Sequence, residues 1–116
     1  MSDQIAANTL TFEVKRVGDA VLVRCHGRLV AGVNNIFYDT VSQQIPGTKR
    51  LVLDLKDITR MDSMGLGALV RLYVSARSAG CSLELIHLAK QIHDLLGTTR
   101  LLSVFAIIGE TGIKIG

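Results

Sequence analysis

A chain of 116 residues with 48% apolar residues, 20% charged residues and one proline builds one globular core, and is too short for a second lobe with its own. The 13 Lys and Arg exceed the 10 Asp and Glu for a net charge of +3, but they are scattered and no aromatics interleave with them, which excludes a nucleic-acid-tracking surface. No apolar run reaches membrane-spanning length, and Met1-Ser2-Asp3-Gln4 lacks the basic start and apolar stretch of a signal peptide, so a soluble cytoplasmic protein with no membrane partner is predicted.

Residues 1–10 show no periodicity and read as a flexible lead-in. Phe12-Glu13-Val14-Lys15 alternates apolar and charged, and the alternation resumes after Gly18-Asp19 in Val21-Leu22-Val23-Arg24-Cys25-His26. Gly-Asp between alternating runs predicts a two-residue hairpin whose first central residue takes positive φ, so the first two strands pair antiparallel. Val21, Val23 and Cys25 face one way, Arg24 and His26 the other, and Leu83-Glu84-Leu85 repeats the pattern. A sheet with charge on one face carries its helices mainly on the other.

After the stretch Gly27-Arg28-Leu29-Val30-Ala31-Gly32, read as a turn, Val33, Ile36, Phe37, Val41 and Ile45 mark one face of a helix closed by Pro46-Gly47. Arg50 to Leu55 reads as a core strand, and Lys56-Asp57-Ile58-Thr59-Arg60 as a polar turn. The main helix follows, with apolar residues at 66, 69, 70, 73 and 74 toward the core and Gly67, Arg71, Ser75 and Ser78 toward water. Gly80 suits its left-handed C′ position. Ser82 to His87 is a further strand, Lys90 to Leu96 a short helix stopped by Gly97, Val104 to Ile108 a last strand, and Glu110 to Gly116 a loose tail or an edge extension. Strand alternating with helix implies the α/β class, a single domain with a mixed, mostly parallel sheet of about five strands.

Catalytic chemistry is not visible. No Ser/His/Asp or Cys/His arrangement has a supporting local motif and no Walker loop is present. Gly65-Leu66-Gly67 lacks the third glycine of a dinucleotide loop. Cys25 and Cys81 stand alone, and His26, His87 and His93 do not repeat at a metal-site spacing, which predicts buried reduced thiols, no metal, no cofactor and no enzymatic activity. Asp54 and Asp57 read as a strand end and a solvated turn.

The informative corner is Asp62-Ser63-Met64-Gly65-Leu66-Gly67, where the core strand hands over to the main helix. Asp62 and Ser63 both suit an N-cap. A phosphate on a serine there would also meet free N–H groups and the positive end of the helix dipole, so a phosphorylation switch at Ser63 is the second reading, behind the cap on spacing alone. Gly65 and Gly67 let the first turn approach a neighbouring strand or a partner closely.

Leu51-Val52-Leu53-Asp54-Leu55, then Ile58, then Met61-Asp62-Ser63-Met64-Gly65-Leu66-Gly67-Ala68-Leu69 closely resembles the STAS domain of bacterial anti-sigma-factor antagonists. The resemblance extends over about residues 11 to 108 through the opening strand pair, Gly27-x-Leu29, Leu101-Leu102 and Val104-Phe105, so 11–116 is expected to be one STAS domain. It implies a phosphoacceptor at Ser63, with Asp62, Met64, Gly65, Leu66, Arg28 and Val30 on the partner surface. The implied partners are an anti-sigma factor with serine kinase activity, bound by the unphosphorylated form, and a phosphoserine phosphatase. Val30 replaces the Asp that many members carry, and Met64 the small hydroxyl residue often found after the acceptor. Those two residues favour a second reading, a scaffold subunit of a signalling or transport assembly without regulated phosphorylation. A small nucleotide-binding domain is the third. Oligomeric state is left open.

Overall fold

The computed structural model describes residues 10–98 and 106–107. The alternating runs at the start form an antiparallel hairpin, β1 (Thr11–Val17) and β2 (Ala20–Leu29), with Val17 opposite Ala20 and Gly18 at φ +62°. Next come α1 (Asn34–Ser42), β3 (Arg50–Met61), α2 (Ser63–Ser78), β4 (Ser82–Ile86), α3 (Lys90–Thr98) and β5 (Ala106–Ile107). The strands form one five-stranded sheet in the order β1-β2-β3-β4-β5, antiparallel at the first pair and parallel at the other three. This is the mixed, mostly parallel α/β sheet expected, and Gly80 takes φ +75° after α2 as a C′ glycine does.

Period-two alternation sorts the sheet's faces. Val21, Val23 and Cys25 of β2, Leu51, Leu53 and Leu55 of β3, and Leu83 and Leu85 of β4 are buried in one core with Phe37 and Val41 of α1 and Ala68, Leu69, Leu72 and Ala76 of α2. The other face carries charge in pairs. Arg24 Nε donates to Asp54 Oδ2 at 3.1 Å, His87 Nδ1 lies 3.1 Å from Asp54 Oδ1, and Arg50 holds Glu84 through contacts of 2.8 and 3.1 Å. Burial pushes the Asp54 carboxyl up, but the Lys56 N–H, His87 and Arg24 outweigh it and hold the group below the ordinary carboxylate range. A buried charge persists only when paired in this way. On the core face, burial and then the negative Asp54 push the Cys25 thiol up to about 12; Cys25 and Cys81 are free and buried.

Several expectations are corrected. Lys56 to Arg60 is no turn: β3 continues to Met61 and stays paired with β2 as far as Leu29 opposite Met61. Irregularities between Arg24 and His26, and between Gly27 and Arg28, reset the alternation so that Ile58 returns to the core while its charged neighbours stay outside. For the same reason Gly27-Arg28-Leu29 belongs to β2, with Gly27 at φ +124° beside the second irregularity. In α2 the buried residues are Gly65, Ala68, Leu69, Leu72 and Ala76, a stripe rotated from the predicted one: Leu69 is common to both, Leu66, Val70 and Tyr73 pack against the core partly buried, and Val74 is 54% exposed. In α1, Phe37 and Val41 are buried while Ile36 is exposed. β4 ends at Ile86, where His87 takes φ +59°, and α3 runs on through Gly97 to Thr98. Leu10, placed in the lead-in, is buried in the core. Ala106–Ile107 lies within the predicted last strand; Leu101-Leu102, Val104-Phe105, Ile108 and the tail from Glu110 to Gly116 lie outside the described residues.

Candidate functional site

β2 and β3 end side by side, and α2 starts one residue beyond the end of β3. Asp62 makes the junction: its backbone is extended (φ −115°, ψ −173°) and its N–H donates to the Leu29 carbonyl at 3.3 Å. Oδ1 accepts the N–H groups of Met64 and Gly65, both at 3.0 Å, so one carboxylate oxygen satisfies two donors that a helix start leaves unpaired. Oδ2 accepts the Ala31 N–H at 3.0 Å, which ties the loop after β2 to the same helix start. Hydrogen bonds from Ala31 and Gly65, then from Met64, with the positive charge of Arg60, hold the Asp62 carboxyl below its usual range against the opposing effect of desolvation.

Gly65 completes the clamp. A Cβ at this position would lie 2.0 Å from the Leu29 carbonyl oxygen and 2.7 Å from its carbon, so only glycine lets the first turn of α2 rest on the β2 backbone. Gly67, by contrast, faces open space, with nothing within 4 Å of a Cβ built there.

Ser63 is the first residue of α2 and is exposed. Asp62 does the capping, and no described residue hydrogen-bonds the Ser63 hydroxyl. Of the two residue types that suit a cap, only Asp62 acts as one. The expected anion site is also smaller than the sequence implies, because the Met64 and Gly65 N–H groups are already taken by a carboxylate.

Around Ser63, Met64 is 51% exposed, Arg28 is exposed and stands opposite Arg60 across β2 and β3, and Val30 is half-buried with its carbonyl accepting the Val33 N–H at 3.1 Å. Gly65 is buried and Leu66 half-buried, so these two support the corner from beneath. The expected residues thus come together, in two layers. Sequence reasoning missed the Ala31 N–H and the Leu29 carbonyl, backbone groups that leave no signature in residue type. Gly67 and Arg71 face outward as expected, but Val74, expected in the core, joins them and Ser63 in one outward row that helical spacing places on one face. That row borders α1: the Arg71 guanidinium lies 4.3 Å over the Tyr38 ring, and the Tyr38 and Ser75 hydroxyls are 2.6 Å apart. The Gly65-Ala68-Leu72-Ala76 spacing was the available signal for the true core side, and hence for this row.

A profile of the STAS domain matches residues 11–112. The chain belongs to the STAS domain family. Among solved structures, this STAS domain is similar to a candidate anti-sigma factor antagonist from Thermotoga maritima, at 26% identity and TM-score 0.77 over 83% of this chain and 84% of that one. An anti-sigma factor antagonist from Mycobacterium paratuberculosis matches at 16% identity and TM-score 0.76, covering 86% of each chain. The phosphorylated form of the Bacillus cell fate determinant SpoIIAA matches at 15% identity and TM-score 0.66, over 87% of this chain and 94% of that one. Among the described residues of the STAS domain, no helix is long and apolar enough to cross a membrane, and no group of three or more His, Cys, Asp or Glu side chains is placed to hold a metal ion.

Proposed function

We propose that this STAS domain is an anti-sigma factor antagonist whose binding is switched by phosphorylation of Ser63. One observation carries the reading: the Ser63 hydroxyl stands exposed at the start of α2 and is not used in capping, because Asp62 does that work. A serine spent on a cap would have to leave its hydrogen bond to react, whereas this one is already presented. Family membership and the likeness to antagonists and to the phosphorylated form of SpoIIAA, itself an anti-sigma factor antagonist, support the partner class.

In this scheme the unphosphorylated domain binds an anti-sigma factor that holds ATP. The Ser63 Oγ attacks the γ-phosphorus, the bond to the bridging oxygen breaks, ADP leaves and the hydroxyl proton passes to a base on the partner. A phosphatase reverses the step by adding water across the Oγ–P bond and releasing inorganic phosphate. The domain itself supplies no catalytic group.

The new group brings about −1.5 to −2 charges beside a carboxylate that already occupies two N–H groups of the helix start. The corner therefore does not neutralise the phosphate, and the charge projects toward whatever covers Ser63 and Met64. A partner surface shaped for a neutral hydroxyl and an exposed methionine would have to desolvate a dianion. Affinity falls at the interface while the helix stays folded.

The test is phosphate mapping by mass spectrometry after incubating the full chain with ATP, alone and with candidate partner kinases. Kinase-dependent modification of Ser63, lost in Ser63→Ala, is expected. Modification without a kinase would point to a nucleotide-binding domain, and modification persisting on Ser63→Ala would move the acceptor elsewhere; either overturns the proposal.

A further inference from the structure

β1 is the sheet's free edge: seven residues, Thr11–Val17, paired on one side to β2 and on the other side to no described strand. Its Val14 and Val17 are 48% and 59% exposed, although apolar edge strands are a standing route to unwanted pairing. We propose that two copies of this chain pair antiparallel through β1, with the two-fold axis at Val14.

Hairpin geometry decides which backbone groups are available. Val17 and Ala20 flank a two-residue loop and form a hydrogen-bonded pair, so Lys15, Glu13 and Thr11, at alternate positions, also bond to β2. The N–H and C=O groups of Phe12, Val14 and Arg16 consequently point away from the sheet. A second strand must use those three residues, and this restricts its register to steps of two.

Charge then selects the register. With the axis at Val14, Val14 meets Val14 of the second copy, Phe12 meets Arg16, and Glu13 meets Lys15 twice, once on each side of the axis. These Glu–Lys pairs fall at the non-hydrogen-bonded positions, where opposed side chains are closest and an ion pair contributes most. Sliding by one step sets Glu13 against Glu13 in one direction and Lys15 against Lys15 in the other. The axis at Val14 alone uses all three outward residues and opposes unlike charges. Glu13 is also placed in advance: its carboxylate lies 2.5 Å from Nε2 of His26, whose Nδ1 lies 2.9 Å from Asp57. Charges on an edge strand ordinarily guard it; here their order along the strand makes them self-complementary.

None of these residues belongs to the Ser63 corner, so the proposal stands or falls independently of the proposed function. Sedimentation equilibrium of the full chain should show the weight-average mass rising toward twice the monomer value over roughly micromolar to millimolar concentrations, as suits a small interface. Val14→Pro removes an outward N–H while sparing every bond to β2, and should hold the protein monomeric with an unchanged circular dichroism spectrum. Should that variant fail to fold, a second pair decides. Glu13→Lys and Lys15→Glu should each dissociate alone, and an equimolar mixture should associate again, since the mixed pair restores opposite charges. A wild-type chain that remains monomeric at millimolar concentration, or a dimer indifferent to Lys15→Glu, overturns the proposal.

Discussion

Gly65 and Gly67 stand two residues apart on the same helix and do opposite things. Gly65 is held against the Leu29 carbonyl so closely that no side chain fits, and Gly67 looks out on open space. The first is a requirement of the fold. The second is dispensable for the fold and lies in the outward row with Ser63. The same division runs through Asp62 and Ser63: one carboxylate is spent on three backbone N–H groups, and the neighbouring hydroxyl on none from a described residue. A surface meant to change charge without unfolding needs its structural and its reactive groups to be different residues.

Substitutions can break or sharpen this contrast. The largest effect is expected at Gly65→Ala, where the methyl group would overlap a backbone carbonyl: about 3 kcal/mol of lost stability in urea unfolding, in the upper range for overpacking. Asp62→Ala should destabilise less, lowering the melting temperature and freeing Ala31, Met64 and Gly65 to exchange. The sign of its pH dependence follows from the lowered carboxyl pKa. Its contribution is complete above the ordinary carboxylate range and is lost as pH falls through the folded-state value. The stability difference between wild type and Asp62→Asn should therefore be constant from about pH 6 to 8 and shrink below about pH 4. Gly67→Ala reverses the sign. An exposed glycine inside a helix costs up to about 1 kcal/mol relative to alanine, so the variant should be more stable, and a bulkier Gly67→Arg should weaken partner binding with little change in stability. Ser63→Ala should be the quietest, within about 0.5 kcal/mol of wild type, while abolishing phosphorylation. A Ser63→Ala loss as large as that of Asp62→Ala would erase the contrast.

The sequence made the hairpin legible because Gly18-Asp19 satisfies a local rule, and it made the helix-start corner legible because Asp62-Ser63 precedes an apolar run. It did not say which of the two residues caps, since both have a suitable oxygen and the deciding donor, Ala31, lies 31 positions away. Residue type also misplaced the buried face of α2. Val70 and Val74 look equally like core, but Gly65, Ala68 and Ala76 are small enough to let α2 lie close to its neighbours, which leaves Val70 at the core's margin and turns Val74 outward. The stretch Lys56 to Arg60 imitates a turn because a bulged strand loses strict alternation. The pairs of Arg24 and His87 with Asp54 span 30 and 33 residues and leave no local trace.

The claim that the corner holds its shape while Ser63 changes charge is tested most directly by amide hydrogen exchange across residues 63–78 in the unmodified and the Ser63-phosphorylated protein. If Asp62 and Gly65 secure the helix start, protection through α2 should be nearly the same in both forms, while partner affinity falls at least about tenfold, equivalent to 1.4 kcal/mol. Loss of protection through α2 on phosphorylation would contradict the account and make the switch one of order and disorder.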